Sequence, residues 1–307
     1  MPRAGKVDDR RFVMAFLLIM GAAFVRPSSR LMAFEGSDGA GEKTAQQATI
    51  KPAAVASPDI PFSDYDPDAE RVLLDLANRA RARAKVPALT LDIGLCQAAR
   101  AHAEAMAMAH QLSHQFDGEL SLPRRLAAAT HTQLDQEGEN VALNFDAEGG
   151  HKHLMLSPPH RANLLNASYN VIGLGVVRIG DRLYIVQDFG HALPNYSTAE
   201  VKDRIAATVA LARHQAKQPI LARRDLASAD DAACSMAQAD KLGTSAIHQL
   251  AQRYSVVTYT SLHPESLPAN AGRMLSSHNL RSFSVGACYA RTDTYPTGVY
   301  WVVLVLD

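Results

Sequence analysis

Residues 171–190 read VIGLGVVRIGDRLYIVQDFG, and the architecture of the chain can be worked out from them. The runs from Val171 to Ile179 and from Leu183 to Gly190 are rich in valine, isoleucine and leucine, which is typical of buried strands. Gly180-Asp181 between them is a hairpin turn signal. Helical patterns precede this hairpin, and that order predicts an α/β fold, layered as α/β/α or α+β.

Three helices are predicted ahead of the hairpin. The first begins at Asp66-Pro67, because aspartate is a good N-cap and proline suits the first helical turn, and Pro87 ends it. The second carries His102 on its apolar side, at helical spacing. The third runs from about residue 147 to 156. Residues 115–138 between the second and third helices are polar, which predicts a loop with one short helical piece.

The N-terminal residues predict export. Residues 1–25 place four basic side chains before an uncharged apolar run from Phe12 to Val25, the pattern of a secretory signal peptide. This run is shorter than the roughly 20 residues that a membrane-spanning helix needs. A small-x-small cleavage site is missing, so an uncleaved N-terminal anchor is the alternative. We expect an extracellular or periplasmic protein.

The domain organisation follows from composition. Residues 26–65 are poor in large apolar side chains, which predicts a flexible linker. The folded part then divides into a domain over residues 66–195 and a C-terminal α+β region over 196–307, since a chain of 307 residues is typical of about two domains.

Charge and cysteine content exclude two classes of function. The chain has 31 basic and 31 acidic residues, so it lacks the cationic excess of a nucleic-acid-binding protein. Its three cysteines, Cys96, Cys234 and Cys288, are not at metal-ligand spacing, which argues against a cysteine-based zinc site. In an exported chain an odd count permits one disulfide and one thiol.

The two halves of the folded part resemble each other. The helix that contains Cys96 has a counterpart in residues 230–236, which would align Cys96 with Cys234. The hairpin at residues 171–190 has a counterpart in two strands, 283–290 and 299–306. The C-terminal region is then a smaller, degenerate repeat, and an unrelated α+β region is the alternative. In a repeat, Cys234 lies on a helix above the strand of Cys288, and pairing or two free thiols are both open.

Three polar signatures occur in a fixed order. They are Leu112-Ser113-His114, GENVA at residues 138–142, and SPPHRANLL at residues 157–165. Around them lie Asn78-x-x-Arg81 and the glycines of residues 173–175. Together these motifs resemble the CAP superfamily, which comprises cysteine-rich secretory proteins, antigen 5 and plant pathogenesis-related proteins, and most closely its bacterial secreted members. The resemblance covers about residues 70–190.

The resemblance implies a CAP-type α/β/α sandwich with a surface cleft lined by two histidines and two acidic residues. Three of these positions match His114, Glu139 and His160, with Asn140 beside them in the cleft, and the fourth has no clear counterpart. The tryptophan that usually precedes the Ser-Pro motif is replaced by Leu154. Arg161 is expected to play a structural role by pairing with Asp188 or Glu139.

Two imidazoles and a carboxylate permit three kinds of chemistry. Neutral His114 and His160 with Glu139 suit a divalent cation such as Zn²⁺, with water in the fourth position. They also suit general acid–base work, since histidine titrates near neutral pH. The third alternative is hydrogen bonding that braces the cleft. Catalysis by a serine or cysteine nucleophile is not expected from these motifs; Ser157 is expected to cap its turn.

The resemblance favours an extracellular binding or effector module rather than an enzyme. The expected partner is a small apolar ligand, a cell-wall component or another protein, with no nucleic acid. The alternative is a metal-assisted hydrolase, perhaps a peptidase in class, with Glu139 as general base. A third hypothesis assigns dimerisation to the C-terminal region.

Overall fold

The structure, a computed structural model, describes residues 65–307. The predicted signal segment and nearly all of the predicted linker lie outside these residues. The described part contains two four-stranded sheets within one compact unit. We propose a division into a first subdomain (residues 65–195) and a second subdomain (residues 196–307), because each closes its own sheet. Within residues 65–307, the helices are too short or too polar to cross a bilayer.

The first subdomain has five helices and four strands among its described residues. In chain order they are α1 (Pro67–Arg83), β1 (Thr90–Leu91), α2 (Ile93–Ala109), α3 (Leu122–Ala129), β2 (Leu134–Asn144), α4 (Ala147–Leu156), α5 (Pro158–Leu164), β3 (Val171–Ile179) and β4 (Arg182–Ala192). The sheet order is β1-β3-β4-β2, with β1 parallel to β3 and the other pairs antiparallel. The predicted hairpin is therefore its centre.

Helices cover both faces of this sheet, which confirms the predicted α/β/α architecture. Ile172 and Leu174 pack in one core cluster with α1 and α4, whereas Val177 packs in another with α2. This division follows from the alternation of side chains along a strand. Gly173 faces α2, where an added Cβ would lie 2.1 Å from the carbonyl carbon of Leu95. Glycine at this position lets the helix approach the sheet.

The second subdomain repeats this topology with fewer helices. Its elements are α6 (Thr198–Gln215), β5 (Ala222–Arg223), α7 (Ala227–Ala239), α8 (Ser245–Ala251), β6 (Ser255–Ser261), α9 (Ala269–Leu275), β7 (Ser282–Ala290) and β8 (Val299–Leu306). The sheet order β5-β7-β8-β6, with the first pair parallel and the others antiparallel, matches that of the first subdomain. Cys234 on α7 and Cys288 on β7 form a disulfide, so pairing is the state that the structure contains.

A buried arginine makes equivalent contacts in both subdomains. Arg81 on α1 donates to the carbonyl of Pro87 and, 83 and 85 residues further on, to those of Leu164 and Asn166. Arg213 on α6 donates in the same way to Pro219, Leu275 and Ser277. Both side chains are fully buried. These shared contacts support the interpretation of the second subdomain as a repeat.

The register of the repeat differs from the one predicted. The Leu174 N–H donates to the Cys96 sulfur, and the Ala287 N–H donates to the carboxylate of Asp230. Cys96 therefore corresponds to Asp230, and its alignment with Cys234 was wrong. Both helices are rich in alanine, so their sequences also match when one is shifted by about one helical turn. That shift brings the two cysteines into line and explains the wrong alignment.

Two elements lie where the sequence did not suggest strands. The GENVA motif belongs to β2, an 11-residue strand, and does not interrupt a loop as predicted. Strand β6 was not anticipated. Both pair with the last strand of their own hairpin, and this pairing defines them as strands.

Candidate functional site

Glu139 is at the centre of the predicted site. Strand β2 places its side chain against α2 and α3, where 3% of it is exposed. Its Oε1 lies 2.8 Å from His114 Nδ1, and its Oε2 accepts a short hydrogen bond from Arg125. Both carboxylate oxygens are thus engaged by protein groups.

His114 lies in the loop that follows α2, and its side chain is 60% exposed. The Arg125 guanidinium donates to its backbone carbonyl over 3.0 Å, which fixes the loop where the imidazole meets Glu139. Because Nδ1 faces the carboxylate, Nε2 is directed away from it. A carboxylate behind one ring nitrogen orients the imidazole and sets the tautomer of the other nitrogen.

His160 lies on α5, in the turn that the two prolines of the SPPH motif begin. Partial burial, and next the charge of the neighbouring His114, lower the pKa of His160. The imidazole is therefore neutral at neutral pH and offers a lone pair. The structure brings His114, Glu139 and His160 to one wall of the first subdomain.

Asn140 ties α5 to the sheet. The side chain is fully buried, and its amide donates to the His160 carbonyl at 3.1 Å and to Gln187 Oε1 at 3.2 Å. Its own oxygen accepts from Asn163 at 3.0 Å. Asn140 thus sets the position of the His160 backbone rather than facing the cleft, because its polar atoms are satisfied inside.

Behind the cleft lies a buried support that sequence reasoning did not assign. His102 on α2 is fully buried, with Nδ1 2.7 Å from Glu119 Oε1 and Nε2 2.8 Å from the Ser113 carbonyl. A carbonyl oxygen only accepts, so Nε2 carries a proton. The contact with Glu119 needs a second proton, on Nδ1 or on the carboxyl. His102 therefore holds the residue that precedes His114.

Asp188 is the most deeply buried acid of the site. It lies on β4 opposite Glu139 on one side and Gly173 on the other. Neither of its oxygens has a hydrogen-bond partner within the described residues. Burial, and next the charge of Glu139, raise the pKa of Asp188 well above its usual range. Asp188 is thus an acid whose protonated form is favoured, directly beside the carboxylate that orients His114.

The expected partner of these acids was wrong. Glu139 pairs with Arg125 on α3, not with Arg161, and the side chain of Arg125 is almost fully buried. The sequence around Arg125 is an ordinary amphipathic helix and carries no signal of this role. His102 did carry one, because a histidine on the apolar side of a helix needs a buried partner.

The three predicted metal ligands differ in how far the protein already engages them. Among residues 65–307, no group of three or more histidine, cysteine or acidic side chains has the geometry to hold a metal ion. Glu139 is engaged at both oxygens, whereas His114 Nε2 and the neutral imidazole of His160 are of the ligand type that Zn²⁺ accepts. Glu139 is therefore placed to orient His114 and not to bind a metal ion itself.

Comparisons with known proteins agree with this fold. Residues 74–189 match the family model described as CAP, the cysteine-rich secretory protein family. An extracellular protein with an SCP domain from Bacillus anthracis is 27% identical over 41% of this chain and 41% of its own, with a TM-score of 0.37. The matched region thus spans less than half of that protein. A search of curated protein sequences found no significant match.

Two further solved structures are similar to parts of the chain. An outer surface protein from Borrelia burgdorferi is 16% identical over 41% of this chain and 94% of its own, with a TM-score of 0.39. The protein Na-ASP-1 is 9% identical over 81% of this chain and 91% of its own, with a TM-score of 0.44.

Proposed function

We propose that this protein, whose residues 74–189 form a CAP domain of the cysteine-rich secretory protein family, is an exported binding protein. Its cleft presents the imidazoles of His114 and His160 to a ligand or to a divalent cation. The observation that carries this proposal is the contact between Glu139 and His114 Nδ1, which directs the other ring nitrogen away from the carboxylate.

The proposal that the cleft binds a cation follows from this contact. Bound Zn²⁺ would supply a positive centre that anchors an anionic or carbonyl group of a partner. His114 and His160 would hold it, and Glu139 would orient His114 from behind, the common arrangement of histidine ligands. The proposal therefore moves Glu139 from the set of metal ligands to an orienting role.

Binding is favoured over hydrolysis by the state of the same carboxylate. A general base must be free to take a proton from water. Glu139 has one oxygen on His114 and the other on Arg125. The partner class that we propose therefore stays a small apolar ligand, a cell-wall component or a protein.

Export is supported by the disulfide between Cys234 and Cys288, since such bonds persist in oxidising compartments. The basic and apolar N-terminal segment points to the same location. We propose a periplasmic or extracellular site of action.

The experiment is calorimetric titration of the purified protein with Zn²⁺ near pH 7.5. We expect one binding event, lost or weakened at least about tenfold in His114→Ala and in His160→Ala. Glu139→Gln should weaken binding by about tenfold to 100-fold, the range seen when an outer partner of a ligand is changed. His278→Ala, an exposed histidine of the second subdomain, is the matched control.

Two results would contradict the cation site. The first is no binding at micromolar Zn²⁺, and the second is a loss of affinity in His278→Ala as large as that in His114→Ala. In the first case the ligand is sought by native mass spectrometry of the purified protein.

A further inference from the structure

The hydrogen bonds that join the second subdomain to the first end on one segment of the first. Among the described residues, the hydrogen bonds between the subdomains end on residues 124–135 of the first, which comprise most of α3 and the start of β2. They join five pairs of groups: Arg291 to the carbonyls of Ala127 and Thr130, Arg124 to the carbonyl of Asp293, Gln133 to Tyr300, and His263 to Asp135. The second subdomain is thus hydrogen-bonded to α3, the helix that carries Arg125, and to the residues that follow it.

Helix α3 depends on such support. It has eight residues and no side-chain cap at its N-terminus. A helix of this length is not stable alone in water. Its buried residues are Arg125 and Leu126, and only Leu122 and Ala129 besides them pack against a core cluster as partly buried side chains.

Arg291 supplies what the C-terminal end of α3 lacks. The Ala127 carbonyl is one of the last four of the helix, which have no partner inside it. One guanidinium nitrogen donates to this carbonyl at 2.5 Å and the other to Thr130 at 2.6 Å. A cation at this end also complements the helix dipole.

The second subdomain fixes Arg291 in turn. Arg291 follows β7, three residues after Cys288 of the disulfide. The next residue, Thr292, donates to the carboxylate of Asp240 at the end of α7, and the N–H of Thr294 donates to the other oxygen of that carboxylate. The segment that holds Arg291 is therefore anchored to the helix that the disulfide also ties.

We propose that Arg291 is a positioning residue for the cleft: it clamps the end of α3 and so holds Arg125 where it binds Glu139 and the His114 carbonyl. The degenerate repeat thereby acts as an internal brace for the site of the first subdomain. This inference rests on the proposed function in that it concerns the same cleft, although its contacts do not depend on which ligand binds.

The test compares Arg291→Met with Arg124→Met in the full chain. Both substitutions remove a guanidinium that crosses between the subdomains, but Arg124 bonds only a carbonyl of the opposite loop. Amide hydrogen exchange across α3 and the NMR signals of the His114 ring are measured without ligand, and Zn²⁺ affinity is measured by calorimetry.

We expect Arg291→Met to speed exchange at residues 126–130 at least about tenfold, because two hydrogen bonds from a charged group are lost, and to shift the His114 ring signals. Arg124→Met should leave both within about twofold of the original protein, as for an exposed contact. If Arg291→Met does not fold, Arg291→Lys, which keeps the charge but not the forked donor, is measured in the same way.

Equal effects of the two substitutions, or exchange that rises throughout residues 196–307 and not in α3, would overturn the clamp. The Zn²⁺ readout separates the two proposals. If the unmodified protein does not bind Zn²⁺, the cation site fails while exchange and ring signals still decide the role of Arg291.

Discussion

The two subdomains share a scaffold and differ in what their inner faces carry. Pairing across each sheet places Thr258 where the first subdomain has Glu139, and Val303 where it has Asp188. The third residue of α9 is the buried Ala271, at the place of His160 in α5.

The same comparison extends to the helix above the sheet. Counting from Cys96 and Asp230 places Met236, fully buried, where the first subdomain has His102. The polar residues of the first subdomain are therefore not needed for this topology. They are additions to a fold that forms with other residues at these positions, which is the expectation for a functional site.

Among the tests of this comparison, the largest loss of stability is expected when the two shared arginines are substituted. Arg81 donates to four carbonyls, one more than Arg213 does. Arg81→Met should lower the free energy of unfolding by about 3–5 kcal/mol, because buried carbonyls lose their donors, and Arg213→Met should lower it less. Urea unfolding followed by circular dichroism measures both. A larger loss for Arg213→Met would contradict the equivalence of the two contacts.

The two subdomains differ in their cysteines. The second contains the disulfide, whereas the described part of the first has only a free cysteine. Replacing Cys234 and Cys288 together by alanine should lower the free energy of unfolding by about 2–4 kcal/mol. Trp301, the single tryptophan, lies in the second subdomain and reports its unfolding by fluorescence. Cys96→Ala is the control, and its stability should still fall when a reductant is added.

A matched pair of glycines tests whether the helix-to-sheet distance is equally tight in both copies. An added Cβ at Gly286 would lie 2.0 Å from the Ala229 carbonyl oxygen, much as at Gly173 above Leu95. Gly173→Ala and Gly286→Ala should each cost about 1–3 kcal/mol through overpacking. Gly272→Ala, where the space is open, should cost nothing and serves as the control. Thermal unfolding of the three variants would reveal an unequal pair.

The smallest effect concerns the acid that has no counterpart in the second subdomain. Because the pKa of Asp188 is raised in the folded state, folding keeps a proton that the unfolded chain releases above its ordinary pKa of about 3.9. The stabilising contribution is present below that value and is lost as pH rises toward the raised pKa.

This pH dependence predicts a difference between the protein and one variant. Between pH 5 and pH 6 the protein should lose stability relative to Asp188→Asn, in which the group cannot ionise, by at most about 1.4 kcal/mol, the limit for one proton over one pH unit. Urea unfolding at both pH values measures the difference. Parallel changes in the two proteins would show that Asp188 is ionised in the folded state.

Much of the fold was predictable because it depends on local patterns. The hairpin at 171–190, the helix at 147–156 and the CAP family were all confirmed. Strand β2 was missed because its residues, LDQEGENVALN, are polar at the start, and only pairing with β4 makes them a strand. The repeat was recognised while its helix register was wrong, since a shift of one turn leaves an alanine-rich face unchanged.

Only the site residues that belong to recognisable motifs could be predicted from the sequence. His114, Glu139 and His160 come from three such motifs, and their joint function stays a prediction. Arg125, which donates to Glu139, lies 14 residues before it along the chain. Asp188, which pairs with it across the sheet, lies 49 residues after it. Contacts of this kind depend on tertiary packing, which a single sequence does not encode in any local pattern.

Cys96 shows how a chain with one disulfide can carry a third cysteine. Its sulfur accepts from the Leu174 N–H, and burial raises the pKa of its thiol. Thiolate is the species that attacks disulfides, so the folded first subdomain protects the bond in the second from exchange. Attack by Cys96 on that bond therefore requires the first subdomain to open around its buried thiol.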